Sequence, residues 1–185
     1  MRNALLFISI IIVSLGAAGE ERNDSTGWVG GVSYTNLSEE ISYISLSEVS
    51  KMNLGFGSLA GSIGYKIDSG HGFYLIPQLR IGFGINGERL YISGTTVNVE
   101  LDSFLALSLR GQLGVGNATY LFIEPAYANA QFTASASGVS FTNDSWEFGF
   151  GGGAGYNFTD NISAELAYEQ FDGTNAVSFG LKLHF

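Results

Sequence analysis

Apolar and polar residues alternate one by one over the last nine residues of the chain. The apolar positions are Val177, Phe179, Leu181, Leu183 and Phe185, and the residues between them are Ser178, Gly180, Lys182 and His184. Successive side chains of a β-strand point to opposite faces, whereas an amphipathic helix needs apolar residues at intervals of three and four. The period of two therefore predicts a terminal strand with one apolar face.

The same alternation recurs along the chain and predicts eight strands. They lie near residues 28–37, 54–67, 73–85, 100–115, 120–129, 146–158, 162–171 and 176–185. The connections at one end are short turns, at residues 68–72, 116–119 and 159–161. Those at the other end are three long segments and one tight turn, at residues 38–53, 86–99, 130–145 and 172–175. Antiparallel strands joined in this way are typical of an eight-stranded, up-and-down transmembrane β-barrel.

The two faces of the predicted strands favour a membrane barrel over a soluble barrel with a ligand cup. One face carries large apolar side chains, as in Leu101, Leu105, Leu107, Leu109, Leu113 and Val115 of the fourth segment. The other face is mostly Gly, Ala and Ser, and only 14% of the chain is charged. Small residues suit the narrow lumen of an eight-stranded barrel and make a poor solvent-exposed coat. We therefore expect the apolar face to contact lipid.

Isolated charges lie on the inward face of the predicted barrel. The basic ones are Lys66, Arg80, Arg110 and Lys182, and the acidic ones are Asp102, Glu124, Glu147, Glu165 and Glu169. A charge shielded from water must find a partner or change its protonation state. The expected lumen ion network consists of Arg80, Arg110, Glu124, Glu165, Glu169 and Lys182. A turn over residues 115–119 places Arg110 opposite Glu124, and Arg80 joins them from the neighbouring strand.

The last hairpin predicts a second ion pair, between Glu165 and Lys182. If Gly173-Thr174 forms the two-residue turn, these residues are directly opposite each other. An Asp172-Gly173 turn is also a good hairpin signal and makes them diagonal neighbours. Long side chains can meet in either arrangement. Both registers therefore predict the pair.

The first residues are predicted to be a targeting segment. Arg2 supplies a positive charge, residues 5–13 form an apolar run, and residues 14–18 offer small side chains for cleavage after Ala18. The run is much shorter than the roughly 20 residues of a transmembrane helix. We therefore predict a signal peptide at 1–18, a short extension at 19–27 and a barrel domain at 28–185.

Motifs that carry chemistry are sparse. The formal net charge of −9 opposes binding to nucleic acid. The chain has no cysteine and only two histidines, His71 and His184, both predicted at the short-turn end. The glycine-rich segment 149–155 lacks the Lys-Ser/Thr ending of a phosphate-binding loop, so we interpret it as lumen packing. We predict no catalytic residues, no bound metal and no cofactor.

The C-terminal segment resembles the insertion signal of bacterial outer-membrane barrels, and the positions that match are Ser178, Gly180, Leu183 and Phe185. Three internal segments are similar to strands of the small OmpA-like and OmpX-like eight-stranded barrel family, namely residues 74–80, 122–127 and 156–168. The resemblance implies a Gram-negative outer-membrane location and recognition by the barrel-insertion machinery. It also implies contact with outer-membrane lipid or lipopolysaccharide, as a monomer.

These features predict a non-enzymatic protein with a structural or surface-adhesion role and a filled lumen. Residues 38–53 are predicted to be an acidic loop. Residues 86–99 and 130–145 are predicted to extend as hairpins beyond the bilayer, where exposed strand edges can capture a host or surface protein by β-augmentation. Two alternatives stay open at this point: a porin-like channel for ions or small solutes, and a lipid A-modifying enzyme.

Overall fold

The computed structural model describes residues 26–45, 48–92, 95–136 and 139–185. The strands are β1 (Gly27–Ser45), β2 (Glu48–Asp68), β3 (Phe73–Gly84), β4 (Gly87–Ile92), β5 (Thr95–Val115), β6 (Thr119–Ala136), β7 (Val139–Asn157), β8 (Ile162–Gln170) and β9 (Thr174–His184). Within those ranges, no helix has the length and hydropathy needed to cross a membrane. The predicted signal peptide at 1–18 lies outside the described residues.

Eight strands close into an antiparallel ring. Around the ring the order is β1, β2, β3, β5, β6, β7, β8 and β9, and β9 pairs with β1. Trp28 and Phe185 complete this last seam, since each backbone N–H donates to the other residue's carbonyl oxygen, at 2.8 and 3.0 Å. A closed ring satisfies the backbone groups where lipid excludes water. The predicted all-β, eight-stranded barrel is confirmed.

The large apolar side chains point outward. Leu107, Ile123 and Phe179 are 52–56% exposed, whereas Ala106 and Glu124 on the opposite face are at most 2% exposed. An exposed face of this kind would be unstable in water and is favourable in lipid, because burial of apolar surface is the main stabilising contribution. The predicted assignment of the two faces is therefore confirmed for most of the ring.

One strand contains an extra residue that reverses this assignment at its upper end. The register between β5 and β6 shifts between Leu101 and Ser103, which leaves Asp102 as a β-bulge. Leu101 is consequently 3% exposed and packs inside the barrel, while the exposed Asp102 accepts a hydrogen bond from Thr133 Oγ1 at 2.6 Å. The predictions of Leu101 on the lipid face and Asp102 in the lumen are wrong, because a bulge inverts the side-chain parity beyond it.

The long connections are mostly strand. β4 pairs with β5 up to Ile92↔Thr95, and β6 pairs with β7 up to Ala136↔Val139, which confirms the two predicted hairpins. Where the segment 38–53 is described, at residues 38–45 and 48–53, it is paired strand and not a loop, since β1 and β2 stay paired up to Ser45↔Glu48. That prediction is wrong because backbone pairing continues with polar residues once the strands leave the lipid.

The last hairpin turns at Asp172-Gly173. Phe171 N–H donates to the Thr174 carbonyl oxygen at 2.8 Å, and Gly173 has a φ of +83°, a left-handed conformation that glycine adopts without a steric penalty. Glu165 therefore lies opposite Gly180 and diagonal to Lys182. Of the two registers left open by the sequence, the structure adopts the diagonal one.

Candidate functional site

Six charged side chains converge inside the ring and alternate in sign. We call this set the ion ladder: Lys182, Glu165, Arg110, Glu124, Arg80 and Glu169. It has three basic and three acidic members, and five of the six are at most 7% exposed. The structure therefore brings together all six residues that the sequence analysis named for the lumen. Charge balance matters here, because an unpaired charge in a shielded environment is strongly unfavourable.

Arg110 of β5 lies at the centre of the ion ladder. Its Nε donates to Glu124 Oε2 at 2.8 Å, and its Nη1 donates to Glu165 Oε1 at 2.5 Å. Its guanidinium carbon also lies 3.9 Å from the centre of the Phe122 ring, which is a cation–π contact. Arg110 thus joins β6 to β8. Its partner on β6 is Glu124, the residue that the predicted turn over residues 115–119 places opposite it.

Arg80 reaches across the whole lumen. Its two Nη atoms donate to the two carboxylate oxygens of Glu169, each at 2.6 Å. Arg80 lies on β3 and Glu169 on β8, and these strands are four positions apart in either direction around the ring. Arg80 Nη2 also lies 3.5 Å from Glu124 Oε1. A bidentate pair between diametrically opposite strands limits both the width of the lumen and the mobility of its side chains.

Lys182 forms the end of the ion ladder nearest the short turns. Its Nζ donates to Ser62 Oγ at 2.8 Å and lies 3.9 Å from Glu165 Oε2. The predicted Glu165–Lys182 pair is therefore present but long, because Glu165 also binds Arg110. Lys66 lies elsewhere, with its Nζ 3.9 Å from the centre of the Tyr74 ring.

Polar residues that the sequence analysis missed complete the ion ladder. Gln78 Nε2 donates to Glu124 Oε1 at 2.5 Å, and the Tyr120 hydroxyl lies 2.9 Å from both Glu165 Oε1 and Ser163 Oγ. All three residues lie on the inward face of predicted strands, so their parity was a usable signal. Because these side chains are uncharged, the alternation places them in the lumen without assigning them to the ion network.

A serine and a histidine are neighbours at the short-turn end. His184 Nε2 lies 3.3 Å from Ser163 Oγ. Such a pair can activate a nucleophile only if a substrate reaches the oxygen. Ser163 is 0% exposed and is covered by Tyr120. His71, the other histidine, is exposed in the β2–β3 turn, and no group of three metal-ligating side chains occurs among the described residues.

At the end of the lumen nearest the long hairpins, apolar side chains cover part of the opening. We call this cluster the apolar cap: Leu37, Leu54, Phe56, Leu90, Val99, Leu101, Phe104, Ala130 and Phe132. Within the described part of the chain, its members come from β1, β2, β4, β5 and β6. The Asp102 bulge is needed for this cap, since it turns Leu101 inward.

Beyond the cap, the long hairpins project with free edges. β9 pairs with β1 only up to Glu39↔Thr174, and β8 pairs with β7 only up to Phe150↔Gln170. Residues 40–45 of β1 and 139–149 of β7 therefore have a backbone edge without a partner strand in the described structure. Tyr91 and Phe141 in these hairpins are 76% and 74% exposed.

The hairpins are strongly acidic. Residues 39–57, 86–102 and 130–147 together contain eight Asp and Glu and two Lys and Arg, a net charge of −6. Three of the other basic side chains, those of Arg80, Arg110 and Lys182, are inside the ring. The projecting surface therefore repels polyanions.

The four residues matched to the insertion signal lie on β9 and at the chain end. Ser178 is inward and hydrogen-bonded to Thr35 Oγ1 at 2.8 Å, Leu183 pairs with Ile162 of β8, and Phe185 closes the seam with Trp28. Gly180 gives space to β1, because a Cβ there would lie 3.0 Å from the Val32 carbonyl oxygen.

Comparison with known proteins identifies similar barrels. The family model of the outer membrane protein beta-barrel domain matches residues 4–185. Neisserial surface protein A has a TM-score of 0.57 at 12% identity, over 86% of this chain and 97% of that one. Ail, the attachment invasion locus protein of Yersinia pestis, in complex with the heparin analogue sucrose octasulfate, has a TM-score of 0.51 at 12% identity, over 86% and 96%. These identities show the fold alone. A search of curated proteins finds no match.

Proposed function

Because this chain belongs to the outer membrane protein β-barrel domain family, we propose that it is a non-enzymatic surface protein whose projecting hairpins bind a partner. The bacterial outer membrane is its location, with short turns toward the periplasm and long hairpins outside, as in outer-membrane barrels generally. The role is structural and adhesive. The barrel holds the hairpins rigidly above the membrane.

The free edge of β7 is the observation that carries this proposal. Asn157 N–H donates to the Ala118 carbonyl oxygen on the β6 side, and Phe158 N–H donates to the Ile162 carbonyl oxygen on the β8 side. Backbone groups alternate between the two sides of a strand, and the β6–β7 register has no shift. The even-numbered residues of β7 therefore direct their backbone groups away from β6. Backbone N–H and C=O groups of Ser140, Thr142, Asp144 and Trp146 thus line this edge, which pairs with no strand among the described residues. An extended segment of another protein can add to such an edge and gain a ladder of hydrogen bonds.

The charge of the hairpins selects the chemistry of the partner. A net charge of −6 over the projecting segments favours a basic or neutral protein segment. It disfavours a sulfated polysaccharide, although the Ail structure contains a heparin analogue. The proposed partner is therefore a host or surface protein with a basic extended segment.

The ion ladder supports a filled lumen that does not conduct. Arg80 and Glu169 join opposite walls, and the remaining members occupy the space between them and the short-turn end. A cavity of about 30 Å³ lies beside Arg110, Glu165 and Lys182. That volume holds about two water molecules, since one needs roughly 10–15 Å³. A non-enzymatic role is supported by the burial of Ser163 beside His184.

An attachment assay tests the adhesive role. Bacteria expressing the protein are compared with non-expressing bacteria for attachment to epithelial cells. Thr142→Pro removes one donor from the free edge of β7 and keeps the β6–β7 ladder, so it is expected to reduce attachment severalfold. Thr142→Val is the matched control, because it removes the hydroxyl and keeps the backbone donor. Equal attachment by all strains would contradict the proposal.

The targeting assignments also belong to this proposal. We propose that residues 1–18 are a signal peptide, that 19–27 form a short extension and that 28–185 form the barrel domain. Insertion as a monomer follows recognition of Ser178, Gly180, Leu183 and Phe185 by the insertion machinery. Lipopolysaccharide and other outer-membrane lipids surround the apolar outer face.

A further inference from the structure

A chamber lies between the ion ladder and the apolar cap. Its volume is about 70 Å³, and Arg80 and Glu169 form its floor. The walls are mainly apolar and include Leu37, Phe104, Ala130, Phe132, Phe171 and Ala176. An engineered apolar cavity of about 150 Å³ admits benzene, so this chamber holds roughly half as much. It can accept the end of a narrow molecule but not a whole one.

The chamber opens on one side. The apolar cap covers the chamber with residues from β1, β2, β4, β5 and β6. β8 and β9 do not extend to the height of the cap, because they end at the tight Asp172-Gly173 turn. A notch is left between the free edges of β7 and β1. These edges are three strand spacings apart, which is about 14 Å at roughly 4.8 Å per spacing. Phe171 lies at the base of the notch. Its ring packs directly against the backbone of Gly149, since a Cβ at that position would collide with the ring.

The notch lies close to the outer surface of the membrane. Tyr168 on β8 and Phe148 on β7 point outward and are 50% and 66% exposed. Aromatic rings in such positions mark the interface between lipid and water. The chamber is therefore reached from the outer membrane surface, where molecules with an alkyl chain and a polar head concentrate.

The mouth of the chamber has a polarity opposite to that of its walls. Ser145, Glu147 and Thr174 line it, and Asp172 is exposed in the adjoining turn. Hydroxyl groups can bind a polar head, and two carboxylates favour a cation and repel an anion. The walls, in contrast, offer hydrocarbon contact to a chain that enters.

From this arrangement we infer that the chamber binds the alkyl end of a single-chain amphiphile with a cationic or neutral head. The chain enters through the notch past Phe171 and ends at the Arg80–Glu169 pair. The head stays at the mouth beside Glu147 and Asp172. This binding activity is separate from the partner-binding edges of the hairpins.

Cysteine accessibility tests the inference, because the chain contains no native cysteine. Ala176→Cys places a thiol in the chamber wall, and Ala164→Cys places one on the lipid-facing side of β8 as a matched control. Both variants are reconstituted in lipid nanodiscs, and heat-modifiable gel migration verifies that they are folded. Their rates of reaction with hexyl methanethiosulfonate and with the charged sulfonatoethyl reagent are then measured.

The expected result is that Ala176→Cys reacts with the hexyl reagent at least tenfold faster than with the charged one. Decyltrimethylammonium, below its critical micelle concentration, is expected to slow this reaction at least fivefold relative to its effect on Ala164→Cys. Equal rates with both reagents and no protection would show a water-filled vestibule and overturn the inference. Absence of reaction in the folded variant would show a closed cavity and also overturn it. Stronger protection by decyl sulfate would overturn the assigned charge preference.

Discussion

Arg110 and Glu124 lie opposite each other on β5 and β6, and Arg110 Nε donates to Glu124 Oε2 at 2.8 Å. Both residues are at most 5% exposed, so loss of one partner leaves a shielded charge. Arg110→Met is therefore expected to lower the free energy of unfolding by about 3–5 kcal/mol. Combining it with Glu124→Gln is expected to cost less than the sum of the two single changes. Urea-induced unfolding in lipid vesicles, followed by tryptophan fluorescence, measures all three variants.

If the double variant loses as much free energy of unfolding as the two single variants together, Arg110 and Glu124 are not energetically coupled. Glu147→Gln serves as the control, because the Glu147 carboxylate accepts a hydrogen bond from Ser145 near the exposed mouth, at 3.1 Å, and is outside the ion ladder. Its effect is expected to be below about 1 kcal/mol, as for other exposed charges.

The Arg80–Glu169 pair, which joins opposite walls of the lumen, is expected to prevent the passage of ions. The unmodified protein in a planar bilayer is expected to show no stable single-channel current, because Arg80 and Glu169 occupy the lumen from wall to wall. Glu169→Gln weakens the bidentate pair and is expected to destabilise the barrel without opening a pore. Stable currents from the unmodified protein, or from a Glu169→Gln variant with unchanged stability, would favour the channel alternative.

The lipid-facing assignment predicts a cost for a charge at the middle of β5. Leu107 is 52% exposed and lies between two other outward leucines, Leu105 and Leu109. Leu107→Arg is expected to lower the free energy of unfolding in lipid vesicles by roughly 2–4 kcal/mol. Tyr91→Arg is the control, because Tyr91 is exposed in a projecting hairpin and its replacement is expected to be neutral. Equal effects of the two changes would place Leu107 outside the bilayer core.

Loss of the C-terminal aromatic residue is expected to impair assembly of the barrel. Phe185 closes the β1–β9 seam with Trp28 and occupies the aromatic position of the insertion signal. Deletion of Phe185, or Phe185→Asp, is expected to leave the chain in the periplasm and to reduce its outer-membrane level severalfold. Phe185→Tyr keeps an aromatic ring and is expected to behave like the unmodified chain. Membrane fractionation and immunoblotting compare the levels, and normal amounts of the deletion variant would contradict the role of the signal.

Local alternation in the sequence was sufficient to predict the ring and most of its faces. The eight segments, the outward Leu107 and the inward Glu124 all follow from the period of two, because a strand's side chains alternate whatever its partners are. The register of Arg110 and Glu124 could also be predicted, since a short turn determines which residues of a hairpin are opposite. Both inferences use only residues that are close along the chain.

Contacts across the ring could not be predicted in the same way. Arg80 lies 89 positions from Glu169 in sequence, and their meeting depends on the closure, tilt and stagger of all eight strands. The Asp102 bulge likewise has no clear local signal, yet it moves Leu101 from the predicted lipid face into the apolar cap. The choice of Asp172-Gly173 over Gly173-Thr174 was equally open, because both dipeptides suit a tight turn.

The sequence by itself determined that this chain is a lipid-facing barrel with paired charges inside, because alternation, composition and turn chemistry are local properties of the strands. Only the tertiary structure decided which charges meet, how the hairpins leave free edges, and where the cap leaves a chamber. Those features depend on how distant strands are placed when the ring closes. No single strand contains that information.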